Sequence, residues 1–122
     1  MEFIVVAALL IAGAIHLVPL VGLLGPSRVE TMYDVKVDGP DLAVLLVHRA
    51  LLFGLLGAAL VAAVFCESTR PYAIGAVLVS DVAFVAIAAA NPGLNDSMKR
   101  VVRADLISIG ALLIACAGVI AG

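Results

Sequence analysis

The chain has 122 residues, 65% of them hydrophobic and only 13% charged, with a mean hydropathy of +1.26 and a formal net charge of −2. A water-soluble domain is about half apolar and a quarter charged, so this composition excludes a disordered chain and a soluble enzyme. With a pI near 5.5 and few cations, it also lacks the electrostatic footprint of a nucleic-acid binder. The expectation is one integral membrane domain over residues 1–122, all-α, with the lipid bilayer as its main partner.

Spanning a bilayer takes about 20 mostly apolar residues, and four blocks qualify: 3–24, 42–65, 72–90 and 101–121. In lipid the backbone must satisfy its own hydrogen bonds, so helices are expected, packed as an antiparallel four-helix bundle. Met1-Glu2-Phe3 lacks the basic start of a secretory signal, so the first block reads as a retained helix. Gly25-Pro26 ends it. Ser27-Arg28-Val29-Glu30 has capping-box spacing, which predicts a short interfacial helix over 28–35 with Tyr33 as a surface anchor. Asp38-Gly39-Pro40-Asp41 breaks that piece and offers Asp41 as N-cap of the second span. Glu67 to Pro71 is a tight polar turn, with Pro71 tolerated at a helix start. Asn91-Pro92-Gly93 stops the third span, and Asn95 or Asp96 can cap the fourth.

Loops 25–41 and 91–100 hold Arg28, Lys36, Lys99 and Arg100, whereas the opposite side has Arg70 alone. Positive charge marks the cytoplasmic side, so both termini are expected outside an inner membrane. The two cysteines, Cys66 and Cys116, form no CxxC pair and show no metal-ligand spacing, so no metal is expected.

The informative residues are polar ones inside the apolar blocks. At about 1.5 Å per residue, His16 lies ~12 Å and Asp81 ~14 Å from the cytoplasmic ends of their spans; His48 lies ~9 Å and Asp105 ~6 Å in. All fall in one half of the bundle. Intramembrane charges usually face a bundle interior or a wet cavity, and Arg49 is expected to pair with Asp81 or Asp105. Arg103 sits about 200° from Asp105 on an ideal helix and should snorkel toward headgroups. His16, His48 and Asp81 are thus the candidate acid–base residues, because histidine titrates near neutrality. Arg49, Asp105 and Ser80 are the candidate ligand-binding residues. Each has a plain structural alternative: an inter-helix tie for the charges, a hydrogen-bonded core imidazole for His16, and back-bonding for Ser80 and Ser108. Pro19 leaves the carbonyl of Ile15 open beside His16. Gly54 with Ala58, Ala59 with Ala63 and Ala8 with Ala12 have the small-xxx-small spacing of closely packed helices.

Tyr33-Asp34-Val35 through Asp41-Leu42, followed by Val47-His48-Arg49-Ala50-Leu51-Leu52-Phe53-Gly54-Leu55-Leu56-Gly57, resembles the small four-helix bacterial membrane proteins of the DoxX-like superfamily. Arg49, Gly54 and Gly57 carry the match; Asp34 stands where a glycine is usual, and His48 is added. The resemblance implies an inner-membrane protein, in a few relatives linked to quinone redox complexes, without an agreed catalytic set. Together these features point to binding, with or without transformation, of a small amphipathic or quinone-like molecule at the polar cluster. The competing expectations are an accessory subunit of a larger membrane complex or homo-oligomer, a haem protein ligated by His16 and His48, and a proton conductor.

Overall fold

A computed structural model describes residues 1–122. All its regular elements are helical and no strand forms. Helix α1 (Glu2–Leu17) continues as a 3-10 segment, Val18–Leu24; α2 (Pro26–Tyr33) is short; α3 (Gly39–Phe65) is long. A 3-10 turn, Glu67–Thr69, leads into α4 (Arg70–Ala89), and α5 (Asp96–Ala121) completes the chain. The stretches Glu2–Leu24, Gly39–Phe65, Glu67–Ala89 and Asp96–Ala121 are long and apolar enough to cross a membrane.

The helix ends depart from expectation for identifiable reasons. Pro19 has no N–H to give, and the chain tightens into the 3-10 form from Val18 onward. The capping box does not form. Pro26 itself opens α2, Thr31 Oγ1 donates to Ser27 O at 3.0 Å, and the Glu30 carboxylate accepts from Val37 N–H at 2.9 Å. Asp41 is not the N-cap of α3: that helix begins at Gly39, with Pro40 in its first turn and Asp41 beside its positive end. Asn95 does cap α5, its Oδ1 accepting from Met98 N–H at 2.7 Å, so this helix starts five residues before the apolar block.

The four long helices form a ring of contacts: α1 touches α3 and α5, and α4 touches the same two. Helices α1 and α4 therefore face each other across a diagonal. Each helix turns one stripe inward. On α1 the stripe is Val5, Ala8, Leu9, Ala12, Gly13 and His16; on α4 it is Arg70, Ala73, Ile74, Val77 and Asp81. On α5 it runs Asp105, Ser108, Ala111, Leu112, Ala115 and Gly118. The apolar core, centred on Leu9, Leu60, Val77 and Leu112, fills the half nearer the chain termini. Small residues permit this closeness. A Cβ on Gly57 would stand 2.9 Å from the Gly13 carbonyl, so α1 and α3 pack backbone to backbone there. The outward faces stay apolar, with Phe3, Val44, Leu45, Phe65, Val79 and Ile120 all well exposed.

Candidate functional site

The stripe on α1 ends at His16, whose ring is almost wholly buried and reaches across the diagonal. Its Nδ1–H donates to the Ala12 carbonyl at 2.8 Å, and Nε2 lies 2.7 Å from Asp81 Oδ1. A carbonyl can only accept, so Nδ1 carries hydrogen and Nε2 is the atom turned toward the carboxylate. Two acceptors facing one ring require the pair to hold a proton between Nε2 and Oδ1, as imidazolium–carboxylate or imidazole–carboxylic acid. Asp81 is fully buried, and its second oxygen, Oδ2, accepts no hydrogen bond from the protein.

Asp105 comes from the opening turns of the α5 stripe. Its carboxylate joins His16 and Asp81, with one ligating atom from each residue lying within 4.8 Å of the others. Ser108, one turn further along the same face, is fully buried with its Oγ unpaired. The expected back-bond from Ser108 is therefore not made. Three helices thus deliver three ionisable groups to one point, each from the inward stripe of its helix.

Arg49 takes a different place from the one expected. The chain's ion pairs are His16–Asp81, Lys36–Asp38 and Arg70–Glu2, so Arg49 pairs with neither aspartate. It sits one residue before Ala50, on the flank of the buried α3 stripe formed by Ala50, Gly54, Gly57, Leu60 and Ala63. There its guanidinium lies over aromatic rings, 4.5 Å from the centroid of Phe53, 5.5 Å from Phe84 and 5.9 Å from Tyr33. Such cation–π contacts stabilise by about 0.5–2 kcal/mol each, more as water is excluded. Phe53 stands between the two groups, its ring centroid 6.1 Å from that of His16. Tyr33 is buried under Arg49 and is not a surface anchor. Burial pushes its phenol up from the ordinary value of 10.0, and the Arg49 charge only partly offsets that.

His48 and Ser80 are not part of this cluster. His48 is exposed, on the outer side of α3 beside Leu23, Val44 and Leu51, and does not share the buried pocket of His16 in which a common haem was expected. Ser80 is half-buried and lines a separate surface groove with Arg49, Leu52, Phe53, Leu55 and Leu56. Arg103 is exposed, on the face of α5 away from Asp105.

A cavity of about 190 Å³ opens onto His16 and Asp105. Ile15, Val18 and Pro19 form one wall, Met32 and Tyr33 of α2 a second, and Phe53 a third, with Ser97, Arg100, Val101 and Ala104 of α5 closing it. An apolar cavity of about 150 Å³ suffices for benzene, so one six-membered ring fits here. The lining follows the usual recipe of a ligand site, mostly apolar with a few converging polar groups.

The half nearer the termini carries one polar feature that block composition alone does not single out. Arg70 is 5% exposed and fully engaged: Nε donates to Ala63 O at 2.9 Å, Nη2 to Val64 O at 3.0 Å, and the two Nη groups to the Glu2 carboxylate at 2.6 and 3.0 Å. Arg70 continues the α4 stripe by the same spacing that places Asp81, which was the available signal.

Comparison with protein-family models, with curated proteins and with solved structures finds no match.

Proposed function

We propose that this is a multi-pass inner-membrane protein, with four antiparallel spans, that binds the ring of a small amphipathic or quinone-like molecule in the cavity beside His16 and Asp105. The observation that carries the reading is the pairing of a ring-sized apolar cavity with a buried imidazole–carboxylate cluster at its floor. Quinone-type rings present carbonyl oxygens that need a hydrogen-bond or proton donor, and an apolar slot that excludes water. The proton held between His16 and Asp81 lies next to that slot, and the buried, protonated phenol of Tyr33 is a second donor. The DoxX-like resemblance belongs to the same proposal.

The positive-inside bias orients the protein with Arg28, Lys36, Lys99 and Arg100 in the cytoplasm and both termini outside. Cys66 makes the orientation measurable. It is exposed, beside the Ser68 hydroxyl at 3.3 Å, and that hydrogen bond pulls its pKa below the usual thiol value. A membrane-impermeant maleimide added to intact spheroplasts should label it without permeabilisation; labelling only after lysis would reverse the topology.

Ligand binding is tested by titrating the detergent-purified protein with tetramethyl-1,4-benzoquinone in a calorimeter. One saturable site is expected, weakened at least tenfold by Phe53→Ala and by Asp105→Asn. Absence of saturable binding, or binding indifferent to both substitutions, would favour an accessory subunit that braces a larger complex.

A further inference from the structure

We propose that His16, Asp81 and Asp105 together bind one divalent transition-metal cation, of the class of Mn²⁺, Fe²⁺ or Zn²⁺, with its remaining coordination positions turned toward the cavity. The inference rests on the reading of this cluster as the ligand site of the protein. Its first support is the donor set. One imidazole nitrogen and two carboxylate oxygens suit borderline and harder divalent ions, and three protein ligands leave positions open for a small molecule.

Geometry is the second support. The three ligating atoms lie within 4.8 Å of one another, whereas bonds of about 2.0–2.2 Å would hold trans ligands at most about 4.4 Å apart. Side-chain shifts of a few tenths of an ångström close that gap. His16 is already oriented as a ligand, because the Ala12 carbonyl holds Nδ1–H and so presents Nε2, the usual way a backbone oxygen orients a metal-binding histidine.

The third support lies in what the protein leaves unsatisfied. Asp81 Oδ2 and Ser108 Oγ, on residues fully buried in the bundle, have no hydrogen-bond partner, and Asp105, 5% exposed, forms no ion pair. Structural polar clusters are normally completed by their own neighbours. Here two carboxylates converge with one imidazole deep in an apolar protein, and a dication would cancel their charge. On binding, the cation takes the lone pair of Nε2 and one oxygen from each carboxylate. The proton shared by His16 and Asp81 leaves to solvent, so affinity should rise with pH. The three residues stand 65 and 24 positions apart on separate helices, which is why no ligand spacing marks them in the chain.

The test uses the full chain in detergent, stripped with a chelator and titrated with Co²⁺ as a spectroscopic probe. One Co²⁺ per chain is expected, with visible d–d bands and release of a proton. Asp105→Asn, Asp81→Asn and His16→Gln should each weaken binding at least a hundredfold, whereas His48→Gln should leave it within twofold. Circular dichroism and gel filtration identify any variant that fails to fold; Asp105→Asn, which breaks no ion pair, then decides. No stoichiometric Co²⁺ in the native chain, or less than a threefold change in folded Asp105→Asn, overturns the proposal. Repeating the quinone titration in chelator separates the two readings. Quinone binding without Co²⁺ binding removes the metal site alone, and the converse removes the ring ligand alone.

Discussion

Two polar ties cross the same diagonal of the bundle, one near each end, and they are built on opposite principles. Both join α1 to α4: Glu2 to Arg70 nearer the termini, His16 to Asp81 in the other half. Arg70 commits its donors to four bonds, two to carbonyls at the end of α3 and two to a carboxylate that is 60% exposed. It closes a helix end, and the cavity of about 320 Å³ that it lines with Met1, Glu2 and Glu67 is much more polar than the one beside His16. The His16–Asp81 tie leaves a carboxylate oxygen unsatisfied, gathers a second carboxylate beside it and stands next to the ring-sized apolar cavity. Buried polar atoms left unpaired add nothing to the stability of a fold. The first tie is saturated by its own neighbours, and the second leaves atoms that the proposed ligand or cation would complete.

Substitutions can break this contrast, and the largest effect is expected at His16. His16→Ala strips Asp81 of its partner in a dry interior, which costs about 3–5 kcal/mol when a buried pair is halved. Thermal unfolding in detergent measures it, and a joint His16→Leu, Asp81→Leu chain should recover most of the loss. Arg70→Met comes next. It removes the bonds to Ala63 O and Val64 O, a loss of about 2 kcal/mol, yet quinone and Co²⁺ binding should stay at native affinity. A binding defect in Arg70→Met with intact helicity would mean that the two halves are not separate in function. Asn95→Ala deletes the cap of α5 and should cost about 1 kcal/mol by the same unfolding assay.

Asp105→Asn should change stability by less than about 1 kcal/mol, because it exchanges an unpaired buried carboxylate for a neutral amide of equal size. The same change should weaken quinone binding at least tenfold and Co²⁺ binding at least a hundredfold; a large stability loss instead would place Asp105 on the structural side of the contrast. The smallest effect is the pH response of Tyr33. Its phenol remains protonated above pH 10.0, so any stability tied to it is complete below that pH and changes only as pH rises toward the higher native value. Ultraviolet titration at phenolate wavelengths, differenced against Tyr33→Phe, reads the native value directly.

Much of this was legible in the chain. Block length and composition give the four long helices, and positions 16, 81 and 105 stand out as polar residues in apolar surroundings. Helical period adds the missing geometry. Counting back from His16 by threes and fours meets Ala12, Leu9 and Val5, all buried; counting back from Asp81 meets Val77, Ile74 and Arg70. The same count places Arg49 and Ser80 one step off their stripes, which is why neither joins the buried cluster. What the chain could not reveal is which partner each group takes. Formal charge suggests Arg49 for an aspartate, but the guanidinium finds three aromatic faces within 6 Å, and the imidazole of His16 fills the diagonal first. Capping signals misled for a related reason: Pro26 and Pro40 fixed the helix starts before Ser27 or Asp41 could act.

Asn95 ties these observations to one joint. While its oxygen caps α5, its Nδ2 donates to the carbonyls of Tyr33 at 3.0 Å and Asp34 at 2.8 Å, where α2 ends in a left-handed turn. One amide thus pins the roof of the cavity to the foot of the fourth long helix. Lifting that roof to admit a molecule would uncap the turn that carries Ser97 and Arg100, so entrance and threshold must loosen together.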